Sequence, residues 1–152
     1  MVRRVNTIAV SSQLHYQIIR SLLDTGRCPS HADLQQSLHL SEAGLESAFR
    51  DLEAVHGIVL HPDRVAPWII HPFSLTPTAT WVEAGGRGWW APCLWCAFGI
   101  ATLATGAVRI HSRLGGEAEP VVVAVRDGHL IDGHQYCVHF AIRPSEAWNN
   151  VH

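Results

Sequence analysis

The run Trp89-Trp90-Ala91-Pro92-Cys93-Leu94-Trp95-Cys96-Ala97-Phe98-Gly99-Ile100 decides how this chain is read. Two tryptophans and a proline lead into two cysteines three residues apart, and a third cysteine, Cys137, lies farther along. Thiols at this spacing share one site at a helix start. The backbone N–H groups there favour the thiolate, which is both a nucleophile and a soft-metal ligand. The same pattern also suits small buried hydrophobes in a Trp-rich core. Spacing alone therefore leaves redox, metal and packing roles open.

Working outward, Cys96 to Leu103 reads as a buried helix ended by Gly106. On its N-terminal side, Thr80-Trp81-Val82-Glu83-Ala84 and Arg87 to Trp90 are two strands that pair across Gly85-Gly86. On its C-terminal side, Ala107 to Arg113 alternates, Val121 to Val125 is a β-branched run, and Asp127-Gly128 signals a turn. Tyr136-Cys137-Val138-His139-Phe140-Ala141-Ile142 reads as another strand, with Cys137 and His139 on one face. Pro144 at a first-turn position, followed by Ser145-Glu146-Ala147-Trp148, reads as the start of a last helix.

The first seventy residues have a different rhythm. Ser11 or Ser12 is placed to cap a helix carrying Leu14, Ile18, Ile19, Leu22 and Leu23, which Gly26 ends. Ser30 caps a short helix with Leu34 and Leu38, and Ser41 opens a third with Leu45, Ala48, Phe49 and Leu52 on one face. Ile58-Val59-Leu60, a turn at His61-Pro62-Asp63, and Trp68-Ile69-Ile70 then outline a hairpin. Three short helices and a hairpin are the outline of a winged helix-turn-helix. The candidate recognition helix carries Glu42, Glu46, Asp51 and Glu53 against one Arg50, a face that phosphates would repel. Nucleic acid is therefore disfavoured as a partner.

Composition agrees. The 152 residues suffice for one sizeable domain or two small ones, and at 47% hydrophobic and 16% charged they can bury a core. A net charge of −2 leaves no electrostatic footprint for nucleic acid. The eleven histidines are scattered, without an HExxH or HxH ligand pair, and read as surface or packing residues. No apolar run reaches the roughly 18 residues of a membrane span. Val5 to Val10, after a basic start, is too short and interrupted for a signal-peptide core. A cytoplasmic protein with free thiols is expected.

His71-Pro72-Phe73-Ser74 with Pro77-Thr78, the Trp-rich strand, the Cys-bearing helix, Val138-His139-Phe140 and Ala147-Trp148 fall in an order that resembles the alkylmercury (organomercurial) lyases. The resemblance is strongest from about His71 to Trp148. It implies an α+β protein, with a winged-helix-like unit over 1–70 and a small mixed-sheet catalytic domain over 71–152. The implied activity is protonolysis of a carbon–mercury bond. Thiolates hold Hg(II), which is the substrate's own metal, and no organic cofactor is implied. The substrate would be a small organometallic molecule; nothing suggests a membrane partner, and the oligomeric state is left open.

In that family a helix-start cysteine is followed three residues later by an aspartate, and a second cysteine comes from a later strand. By resemblance Cys93 takes the first position and Cys96 stands where the family has aspartate, giving C-x-x-C in place of C-x-x-D. Cys137 is the candidate for the later cysteine, offset by about two residues, a shift that keeps one strand face. Cys93, Cys96 and Cys137 are thus the candidate catalytic and mercury-binding residues. A second thiol tightens a soft-metal site but is a poorer general acid than a carboxyl group. Two alternatives follow. One is a non-cleaving thiolate site for Hg, Cu or Zn; the other is a scaffold that uses Cys93 and Cys96 on another small organic substrate or as a redox pair. Cys28, beside Pro29 in a helix–helix turn, is read as incidental. The resemblance also implies a longer C-terminal segment than the one ending at His152.

Overall fold

The computed structural model describes residues 2–115, 118–140, 143 and 146. The chain divides into two compact units, Met1–Ile70 and His71–His152.

In the first unit, helices α1 (Val2–Thr25), α2 (His31–Leu38) and α3 (Glu42–Ala54) precede an antiparallel hairpin of β1 (Ile58–Leu60) and β2 (Pro67–Ile70). Leu14, Ile18 and Leu22 on α1 are buried, as are Leu45, Ala48, Phe49 and Leu52 on α3. Both sets follow the spacing of one helical face. Ser30 caps α2 through a reciprocal box: its hydroxyl accepts from the Asp33 N–H while the Asp33 carboxylate accepts from the Ser30 N–H. Ser41 caps α3 by accepting from the Gly44 N–H. The expected start of α1 at Ser11 or Ser12 is corrected: the helix runs back to Val2, and Ser11 is buried inside it. Nothing between Val2 and Val10 breaks a helix, since that stretch holds neither glycine nor proline.

The second unit is built on antiparallel strands in the order β3-β5-β4-β6-β7-β8. These are β3 (Phe73–Ser74), β4 (Thr80–Ala84), β5 (Arg87–Ala91), β6 (Ala107–Arg113), β7 (Pro120–Arg126) and β8 (His129–Leu130). Strands β4 and β5 join at Gly85-Gly86, where both residues take positive φ (57° and 77°), the two-residue turn that matches strand twist. One face alternates inward: Val82 and Ala84, Trp89 and Ala91, Val108 and Ile110, then Val121, Val123 and Val125 are all buried. Helix α4 (Leu94–Leu103) covers that face, touching β3, β4, β5 and β6 and burying Ala97, Ile100 and Ala101. Small residues at 97 and 101 let the helix lie close to the sheet. Each fully buried aliphatic side chain such as Ile110 or Val82 stabilises this packing by about 1.5–3 kcal/mol. Helices beside an antiparallel sheet make an α+β fold, as expected.

The strand expected at 136–142 is a correction. Residues 136–140 carry no strand and are exposed, and 141–142 lie outside the described residues, as does the last helix expected from Pro144. Side-chain alternation is not enough for a strand; the backbone also needs a partner. Beyond β7 that place is taken by β8, after which Ile131 and Asp132 both donate N–H groups to the Ala124 carbonyl.

Candidate functional site

Strand β5 ends at Ala91, and one proline later the chain turns into α4, so Cys93 stands at the N-cap and Cys96 in the first turn. Cys93 has extended backbone angles (φ −156°, ψ 174°), and its sulfur fills the role usually given to a serine or aspartate oxygen. The Cys96 N–H donates to it at 3.5 Å. The two side chains also meet directly: the Cys96 sulfur lies 3.5 Å from the Cys93 sulfur. Cys93 is exposed and Cys96 half-buried.

Their acidities are driven apart. The hydrogen bond with the Cys96 thiol lowers Cys93 most; the N–H groups of Cys96 and Trp95 add to this against partial burial, and the thiol falls to about 6. The Cys96 thiol moves well above the ordinary range because it gives its hydrogen bond to Cys93, is partly desolvated and faces a negative sulfur. The two shifts favour the thiolate on Cys93 and the proton on Cys96.

A third group reaches the pair from β3's side. His71 Nδ1 lies 3.8 Å from the Cys96 sulfur. Its neighbour Pro72 packs on Gly99, where an added Cβ would come within 3.1 Å of the Pro72 ring. Cys96 and Gly99 are three apart and share a face of α4, so this close approach sets the distance between His71 and Cys96. In the sequence His71 belongs to a motif without a chemical role of its own; a histidine beside a proline carries no signal of what its ring will face.

Trp95, between the two cysteines in sequence, is exposed and meets the Phe140 ring edge-on at 6.0 Å. Trp89 is buried against Phe73, and Trp90 packs on Trp81, so both tryptophans of the leading strand build the fold rather than the site. Cys137 is exposed on the irregular segment that leads to Phe140. Its expected strand-face alignment with His139 is absent. Among the described residues no three His, Cys, Asp or Glu side chains gather as a metal site, so the structure brings together Cys93 and Cys96 but does not add Cys137 to them. Cys28 is half-buried in the first unit, and burial pushes its thiol up to about 11, which leaves it inert. Glu83 contacts His111 at 3.2 Å and Arg109 at 3.8 Å across β4 and β6.

An exposed cysteine and a half-buried one, their sulfurs 3.5 Å apart, thus stand at the start of a helix laid across an antiparallel sheet. The chain belongs to the alkylmercury lyase family, whose model matches residues 73–152. Among solved structures it is similar to one described as the crystal structure of the mercury-bound form of MerB2. The two share 27% sequence identity with a TM-score of 0.65, over 80% of this chain and 58% of that one. This chain thus spans well under two thirds of the length of that protein. No curated protein matches it. Among the described residues no helix is long and apolar enough to cross a membrane.

Proposed function

We propose that the chain is an alkylmercury-lyase-like enzyme that cleaves a carbon–mercury bond by protonolysis on Cys93 and Cys96. The observation that carries this reading is the sulfur–sulfur contact of 3.5 Å between an exposed and a half-buried cysteine at the start of α4. Family membership supports it.

The chemistry closes on these two groups. The Cys93 thiolate binds the mercury of an organomercury cation, R–Hg⁺, giving a neutral R–Hg–S adduct. The Cys96 thiol then gives its proton to the carbon as the carbon–mercury bond breaks. The hydrocarbon R–H leaves, and the Cys96 sulfur takes the vacated valence on mercury. Hg(II) ends between two thiolates, with charge and atoms conserved. Held well above the ordinary thiol range, the Cys96 thiol keeps its proton in place until mercury makes the sulfur a better donor. His71, 3.8 Å away, holds the Cys96 side chain toward Cys93. We place Cys137 as a third thiol that receives Hg(II) after cleavage. The Trp95–Phe140 contact supports this, because Cys137 lies three residues from Phe140 and so within about 10 Å of it along the chain.

Running the reaction with a phenylmercury salt in D2O tests the reading. Singly deuterated benzene should form with the unaltered protein and should not form with Cys93→Ser. A second reading is a thiolate site that holds a soft metal without cleaving. It is favoured by the lack of a carboxylate gathered with the pair among the described residues. Under that reading the organomercury adduct stays intact on Cys93.

A further inference from the structure

We propose that Cys93 and Cys96 are also a reversible dithiol–disulfide couple, oxidised by small-molecule disulfides, whose closure shuts the site to thiophilic ligands. The inference goes beyond the lyase reading, because it concerns the pair's reaction with disulfides whatever else it binds.

Geometry carries it. A disulfide needs sulfurs at about 2.05 Å and Cβ atoms at about 3.5–4.5 Å. Residues three apart on a helix already hold their Cβ atoms at about 5–6 Å. Here the sulfurs stand at 3.5 Å with Cys93 at the N-cap, where the backbone has not yet entered the helix. A modest change at Cys93 therefore closes the bond without unwinding α4. Exposure divides the work: Cys93 is open to an incoming disulfide, while Cys96 is half-buried behind it and placed to resolve the adduct.

The steps balance. The Cys93 sulfur attacks one sulfur of R–S–S–R, forming a mixed disulfide and expelling R–S⁻. The Cys96 thiol loses its proton to solvent, and its sulfur attacks the Cys93 sulfur, expelling the second R–S⁻. The protein dithiol is oxidised by two electrons and the small disulfide is reduced to two thiolates, which exchange protons with the solvent that received the one from Cys96. Once both valences are joined, neither sulfur can hold a metal or an organomercurial.

The test is to incubate the reduced full chain with oxidised glutathione, unfold it in guanidinium chloride with excess N-ethylmaleimide near neutral pH so that every free cysteine is alkylated, and read intact mass and peptide maps. The number of alkylated cysteines should fall from four to two, with Cys93 and Cys96 cross-linked, and dithiothreitol should restore all four. Cys96→Ser should stop at a stable glutathione adduct on Cys93. Four alkylated cysteines after oxidation, a glutathione adduct that persists on Cys93 in the unaltered chain, or a cross-link through Cys28 or Cys137 would each overturn the proposal. Hydrocarbon release by the reduced protein reads the lyase proposal separately, so a cross-link without hydrocarbon, or the reverse, shows which of the two fails.

Discussion

Replacing Cys96 by Ala should make Cys93 a far weaker acid. The largest influence lowering the Cys93 thiol is the hydrogen bond from Cys96, and the N–H groups of Cys96 and Trp95 contribute less. With the thiol at about 6, roughly nine-tenths of Cys93 is thiolate at pH 7; at an ordinary thiol value of about 8.5 only about 3% would be. Cys96→Ala keeps the backbone N–H groups, so the variant should fall between these limits and nearer the upper value. The sign follows from the lowered position of the Cys93 thiol. In the unaltered protein the rate of Cys93 alkylation should rise with pH through about 6 and be flat above about 7, whereas in the variant it should still be rising at pH 8. The assay is iodoacetamide alkylation across pH with peptide mapping of Cys93, supported by thiolate ultraviolet absorbance. A variant whose profile still turns over near 6 would refute the reasoning, because the helix start alone would then be holding the charge.

Other consequences are as direct. Gly88→Ala should destabilise the second unit by about 1–3 kcal/mol in urea unfolding: the new Cβ would overlap the Trp81 ring, and Trp90, packed edge-on at 4.7 Å, limits the ring's retreat. Ser30→Ala should cost about 1 kcal/mol by opening the capping box of α2, read by the same unfolding curve with thiol chemistry unchanged. Cys96→Asp should keep or raise hydrocarbon release from a phenylmercury salt, since a carboxyl group is the better proton donor; turnover lost in that variant while mercury still binds would count against the acid role given to position 96.

Much of this was legible from residues because the signals were local. Ser30 and Ser41 announce helices through their own side chains, Gly85-Gly86 announces a hairpin through backbone freedom, and the alternation in Ala107–Arg113 names its buried face. Cys93 and Cys96 are three residues apart, so a helix start is enough to bring their sulfurs together. What could not be read depends on distant backbone. Tyr136 to Phe140 alternates as a strand would, yet β8 occupies the edge beside β7 and the segment stays irregular. His71 reaches Cys96 only because Gly99 lets Pro72 lie against α4, a contact between positions far apart in sequence. The length of α1 was missed for the opposite reason: two serines that look like caps lie inside a helix that nothing upstream interrupts.

Two thiols, one charged and one protonated, suffice under this proposal to break a carbon–mercury bond. The measurement that meets it most directly is a single turnover of the fully reduced, unaltered protein with one equivalent of a phenylmercury salt, following benzene in the headspace and mercury on the protein by intact mass. One equivalent of benzene is expected, with Hg(II) retained on a peptide containing Cys93 and Cys96. A phenylmercury adduct that persists on Cys93 with no benzene formed would contradict it.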